Sequence, residues 1–212
     1  MKKGTFIVIE GGEGCGKSTL LEYLREEALK VLWREEKVAF TREPGGSPFA
    51  EEIRLLMLGS LSKQANGLTQ FGLAWASRAD HIKNLIRPHL ENGIHVISDR
   101  FDSSTYAYQV HGQETPGLKD LFFSTRKVYL EDIMPDSYIF LDVDPKIGAE
   151  RVSQRAGVPN HFDERKLDFH QRVRAGYMEF FEHVSHTVID ANQSLEKVKR
   201  ELKLKINSLI RS

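Results

Sequence analysis

The chain has 212 residues, 40% of them hydrophobic and 28% charged, which suits one globular domain with a sizeable core. Its 30 basic and 30 acidic residues cancel, so composition offers no surface built to coat nucleic acid or an anionic membrane. One cysteine excludes an internal disulfide framework, and the apolar run in the opening MKKGTFIVIEGG is too short for a signal peptide or a membrane span, so a cytoplasmic protein is expected.

Along the chain, short runs rich in Ile, Val and Phe alternate with longer helical patterns, the mark of successive βαβ units. This predicts an α/β fold, a mostly parallel five-stranded sheet flanked by helices, in a single domain spanning 1–212. Strands are expected at 5–10, 37–43, 94–99, 137–143 and 186–190. Helices fill the intervals, including a long one from Leu68 to Glu91 and a last one from Leu195 to Ile210. The segment 153–166 is polar, charged and broken by Gly157 and Pro159, and reads as loose.

After the first strand comes Gly11-Gly12-Glu13-Gly14-Cys15-Gly16-Lys17-Ser18-Thr19, which fits G-x-x-x-x-G-K-[ST] through Gly11, Gly16, Lys17 and Ser18, with a strand before it and a helix after it. This is the P-loop of nucleotide-binding proteins. Its glycines let backbone N–H groups turn in around phosphates and the helix N-terminus adds positive potential. Lys17 can reach the terminal phosphates, and the Ser18 hydroxyl can ligate Mg²⁺. Cys15 occupies a free position of the loop as a small residue that fits.

A P-loop alone does not separate a switch, a motor and a kinase. The third strand ends in Asp99, placed to hold the Mg²⁺ shell across the carboxyl edge of the sheet. Arg100 follows at once. A guanidinium there points to a second anion, because Lys17 and the metal already attend the first.

At these residues the chain resembles the bacterial thymidylate kinases, over nearly its whole length. Four blocks carry the likeness: EGGEGCGKST (10–19), TREPGG (41–46), SDRFDSSTYAYQ (98–109) and SYIFLDVDP (137–145), the last leading into an arginine-bearing lid. The resemblance implies transfer of the γ-phosphate of ATP to dTMP with Mg²⁺, a P-loop NTPase fold with a short mobile lid at about 151–166, and a homodimer. It implies Arg42 and Arg100 on the acceptor phosphate, Glu13 facing the deoxyribose 3′-hydroxyl, and Arg78 with Thr105 at the thymine edge. Tyr108 would crowd the 2′ position, and Ser104 and Gln109 complete that wall. Arg151 and Arg155 stand where lid cations belong.

Two departures from the family pattern are visible. NHFD (160–163) puts His161 where many relatives carry a lid arginine, and a histidine is only partly charged near neutral pH. Four residues before Arg78, where the family has a phenylalanine stacked on the base, stands Ala74. The nearby Trp75 is expected to supply the stacking ring, with Phe71 in the core. Two other readings remain open at this stage: a kinase for a different nucleoside monophosphate, and a nucleotide switch. The absence of an Asn/Thr-Lys-x-Asp guanine motif speaks against the switch.

Overall fold

The structure is a computed structural model and describes residues 3–30, 37–115, 117–154 and 165–211. Arg155 and His161, and with them most of the lid segment, lie outside the described residues. Five strands form, β1 (Phe6–Gly11), β2 (Val38–Arg42), β3 (His95–Asp99), β4 (Ser137–Asp142) and β5 (His186–Asp190), each where the apolar runs place it. All are parallel, in the order β2-β3-β1-β4-β5.

Parallel strands need both faces covered, so the central ones are apolar throughout instead of alternating. In β1, Phe6 and Val8 join a core with Trp75, Phe122, Tyr138 and Phe180 on one face. Ile7 and Ile9 join Leu20, Leu24, Ile97 and Ile139 on the other. That second face is closed by α1 (Lys17–Lys30) and by the C-terminal helix Leu195–Ile210, whose Val198, Leu202, Ile206 and Ile210 recur every four residues as one buried stripe. No helix among the described residues is long and apolar enough to cross a membrane.

After β2, α2 (Pro48–Leu58) leads to α3 (Gly67–His81), which Asn66 caps by accepting from the Thr69 amide at 2.8 Å. The expected helix to Glu91 is continuous but not uniform. A wide π turn, Ile82–Ile86, joins α3 to α4 (Arg87–Glu91). Pro88, just beyond it, has no N–H to donate and its ring crowds the preceding turn, which favours such a widening. A second π turn, Tyr106–Gly112, continues α5 (Asp102–Thr105). The remaining helices are α6 (Leu118–Leu130), α7 (Pro145–Ser153), α8 (Leu167–Phe181) and α9 (Leu195–Ile210).

Register decides what meets at the site. Ile9 and Arg42 both stand opposite Asp99, and Gly11 stands opposite Leu141. The P-loop, the Asp99-Arg100 pair and Arg42 therefore leave the sheet along one carboxyl edge, the position at which open α/β sheets bind ligands.

Candidate active site

Between β1 and α1 the chain turns through Gly14 and Gly16 at φ 75° and 85°, conformations that strain any residue with a Cβ. At Gly14 a Cβ would also lie 2.2 Å from the Gly148 carbonyl oxygen. Lys17 opens α1, and its Nζ donates to Asp99 Oδ1 at 2.5 Å. Burial works to raise the Asp99 pKa, but Lys17 and Arg100 outweigh it and hold the carboxyl below the usual range. A cavity of about 410 Å³ opens over the P-loop, walled beyond it by Arg151, Val152, Gln193 and Leu195. Arg151 Nη1 donates to the carbonyls of Ala191 at 2.8 Å and Gly14 at 3.3 Å, so this cation is fixed against the loop.

Arg100 sits at φ 68°, a backbone strain that a non-glycine residue keeps only when its surroundings enforce it. Its amide donates to the Ile9 carbonyl at 3.0 Å, its carbonyl accepts from the Ser98 hydroxyl at 2.7 Å, and the next residue is held by Glu10, a fully buried carboxylate that in the sequence reads only as part of a strand. Its Oε1 accepts from the Phe101 amide at 2.9 Å and the Ser103 hydroxyl at 2.7 Å; its Oε2 accepts from Ser104 and Tyr177, each at 2.8 Å. Burial pushes its pKa up, only partly offset by Arg100, Ser103 and the Phe101 amide. Arg100 in turn donates to the Tyr177 hydroxyl at 2.8 Å, Ser104 at 3.2 Å and Glu13 at 3.2 Å. Tyr108 donates to the same Glu13 oxygen at 2.8 Å. Burial opposes the charge on Glu13, yet Arg100 and Lys17 keep its pKa lowered.

A second cavity, of about 270 Å³, lies beside the first and shares Glu13, Lys17, Ser18 and Arg100 with it. Its far wall is Arg78, which is 2% exposed and fixed by a buried carboxylate. Arg78 Nε donates to Glu43 Oε2 at 2.9 Å, and Nη2 donates to Thr105 Oγ1 at 3.1 Å. Glu43 Oε1 faces His81 Nδ1 at 3.0 Å, and His81 Nε2 meets the Thr41 hydroxyl at 2.7 Å. The turn after Arg42 makes this possible. Gly45 and Gly46 lie at φ 115° and 93°, and a Cβ on Gly46 would sit 2.4 Å from His81 Nε2. Arg78 Nη1 is buried with no partner among the described residues.

Several residues singled out in the sequence meet here: Glu13, Lys17, Ser18, Arg78, Asp99, Arg100, Ser104, Thr105, Tyr108 and Gln109 all line the second cavity. Arg42 does not. It is exposed at the rim and ion-paired with Glu51 at 2.9 Å, while Arg54, missed in the sequence, lines the cavity instead and donates to the Pro44 carbonyl at 2.7 Å. Glu51 and Arg54 stand one turn apart on α2, so Arg54 could have been weighed beside Arg42 once that helix was placed.

Trp75 is a correction. It does not line the cavity. It is 1% exposed, with its ring 5.6 Å from Phe122 and 5.3 Å from Tyr129. One residue along a helix is a rotation of about 100°, which turns Trp75 toward α6 and leaves Ala74 on the cavity wall with Met57 packed against it. Burying so large a ring among other aromatics outweighs the lean of the side chain toward the helix N-terminus. Trp75 acts from behind: the Arg78 guanidinium carbon lies 4.4 Å from its ring centroid, a cation–π contact that helps hold Arg78. Trp75→Ala is expected to lower the free energy of unfolding by about 3–5 kcal/mol, read by denaturant titration. A variant as stable as the parent but weakened in nucleotide binding would restore the stacking role.

A five-stranded parallel sheet, a P-loop at its carboxyl edge and a second, cation-lined cavity opening onto the same loop define a P-loop nucleotide-binding protein of the α/β class. A family model described as thymidylate kinase matches residues 9–202. Proteins named thymidylate kinase are similar over nearly the whole chain. The one from Hahella chejuensis (strain KCTC 2396) is 40% identical over 203 residues, 94% of each chain. The one from Marinomonas sp. (strain MWYL1) is 39% identical over 212 residues, 98% of this chain and 96% of the relative. The one from Aster yellows witches'-broom phytoplasma (strain AYWB) is 40% identical over 209 residues, 96% and 97%. The chain belongs to the thymidylate kinase family.

Proposed function

We propose that this protein is a thymidylate kinase, an ATP-dependent phosphotransferase that passes the γ-phosphate of ATP to dTMP and yields dTDP and ADP. The observation that carries this reading is the meeting of two cavities at Glu13, Lys17, Ser18 and Arg100. A hydrolase or a switch needs one phosphate site; transfer needs two that share a wall.

In this reading the P-loop holds the ATP phosphates, and Lys17 releases Asp99 to meet them. Ser18 and Asp99 offer hard oxygen donors at the junction, which fit Mg²⁺; the ion would supply charge neutralisation on the transferring phosphoryl group. Arg100 leaves Glu13 for the acceptor phosphate, with Arg54 on the cavity wall and the exposed Arg42 outside it as further cations. Glu13 then has a free carboxylate oxygen for the sugar 3′-hydroxyl, and the Tyr108 ring walls the 2′ side. Arg78 and Thr105 meet the base. No strong base is needed, because the attacking phosphate oxygen is already anionic; holding donor and acceptor in line is the mechanism.

Arg151 and Arg155 serve as the lid cations in this reading. Arg155→Ala is expected to lower the maximal rate more than His161→Ala does; the reverse order in steady-state kinetics would make His161 the working cation. A cytoplasmic homodimer completes the proposal. Its support is a run of exposed apolar side chains on and after α2, Phe49, Leu55, Leu56, Leu61 and Leu68, next to the second cavity; sedimentation equilibrium should give twice the chain mass.

The direct test is a panel of acceptors. ATP consumption should depend on dTMP and run faster with it than with dUMP, dCMP or dGMP. Preference for one of the others would assign a different nucleoside monophosphate kinase, and GTP hydrolysis without acceptor would assign a switch.

A further inference from the structure

Behind the base end of the second cavity, outside its wall, lies Gln70 of α3, 1% exposed. Its Nε2 donates to the Ser62 carbonyl at 3.2 Å. A backbone carbonyl can only accept, so this contact decides which end of the Gln70 amide is nitrogen. The opposite end, Oε1, then faces two more amides. It accepts from Gln113 Nε2 at 2.6 Å and from Gln109 Nε2 at 3.3 Å. Gln109 lines the cavity, and with its nitrogen turned back to Gln70 the polar end left over is its carbonyl. Beside it on the same wall stands Arg78, a group with donors only, locked by Glu43.

We propose that Gln70 is a positioning residue for base selection: through Gln109 it fixes a hydrogen-bond acceptor next to the Arg78 donor, and so selects a pyrimidine whose edge pairs a carbonyl with an N–H. Thymine and uracil present that edge, O4 beside N3–H. Cytosine presents the reverse, an amine beside a bare ring nitrogen, so both contacts become donor against donor and acceptor against acceptor. A site built on matched hydrogen bonds rejects such a ligand strongly, because its own polar groups are left unpaired. The chain of amides starts from a main-chain atom, so the polarity of the wall does not depend on the ligand to set it. This inference rests on the reading of the protein as a kinase for dTMP and adds a residue that never touches the substrate.

The test is Gln70→Met, which keeps length and apolar packing and removes the amide. The ratio of the dCMP inhibition constant to the dTMP KM is expected to fall at least about tenfold, while the dUMP to dTMP ratio of kcat/KM stays as in the parent, since those two share an edge. Gln113→Met, which removes the other donor to Gln70, should leave both ratios unchanged. A merely structural role would weaken dTMP, dUMP and dCMP alike, and that result overturns the proposal. Should Gln70→Met fail to fold, Gln109→Met on the cavity wall must reproduce the loss of dCMP discrimination; an unchanged ratio there overturns it equally. A parent enzyme that phosphorylates neither dTMP nor dUMP would remove the functional reading itself, an outcome separate from any change in ratio.

Discussion

Lys17→Met is expected to abolish phosphoryl transfer, by about 10²–10³-fold or more in kcat, while the protein remains folded. Methionine matches the lysine in length and keeps the packing at the start of α1, where Lys17 is buried. What disappears is a positive charge at the junction of both cavities, the one already paired with Asp99. In the substituted protein Asp99 still has Arg100 near it, so the carboxylate is not stranded and the fold should hold. Circular dichroism and a thermal melt check the fold; a coupled ADP assay checks the rate. Near-normal turnover would take the P-loop lysine out of the mechanism.

Arg100→Ala is expected to raise the dTMP requirement by about 10- to 100-fold, the loss of charged hydrogen bonds to one phosphate, with a much smaller change for ATP. The asymmetry follows from geometry. Arg100 is held by Ser104, which lines the second cavity and not the first, and by the buried Tyr177 behind it; its third partner, Glu13, lines both cavities. Alanine tolerates the φ of 68° no worse than arginine does, so the backbone cost does not change with the substitution. Separate KM values for the two substrates decide the matter. An effect confined to ATP would put this guanidinium on the donor phosphates.

How far the sequence carried the reading depends on how local each signal was. The strands were legible because a parallel strand buried on both faces is an unbroken apolar run, as in FIVIE, and no helix of that length competes. The P-loop was legible because its whole function is contained in nine consecutive residues. Glu10 sits one residue before that loop and looked like a strand end; only the fold shows that four donors from β3's exit, α5 and α8 converge on it, Tyr177 from 167 positions away. Glu43 was hidden in the same way: its partners Arg78 and His81 are 35 and 38 residues distant. Trp75 failed for a different reason. Helical spacing placed it near the correct face, but a neighbouring residue on a helix points about 100° away, and the aromatic core beside α6 decided which way the ring went. Arg42 shows the limit for a long exposed cation, whose direction is set by the nearest carboxylate, here Glu51, and not by the motif that contains it; Arg54, half-buried and bonded to the Pro44 carbonyl, faces the cavity in its place.

The central claim is that the phosphate passes from nucleotide to nucleotide across the junction of the two cavities. ATP labelled at the γ-phosphate, incubated with the protein, Mg²⁺ and dTMP, tests it most directly when the products are separated. The label is expected in dTDP, with little in inorganic phosphate either with or without dTMP. Label appearing in inorganic phosphate at the same rate whether or not dTMP is present would contradict the account.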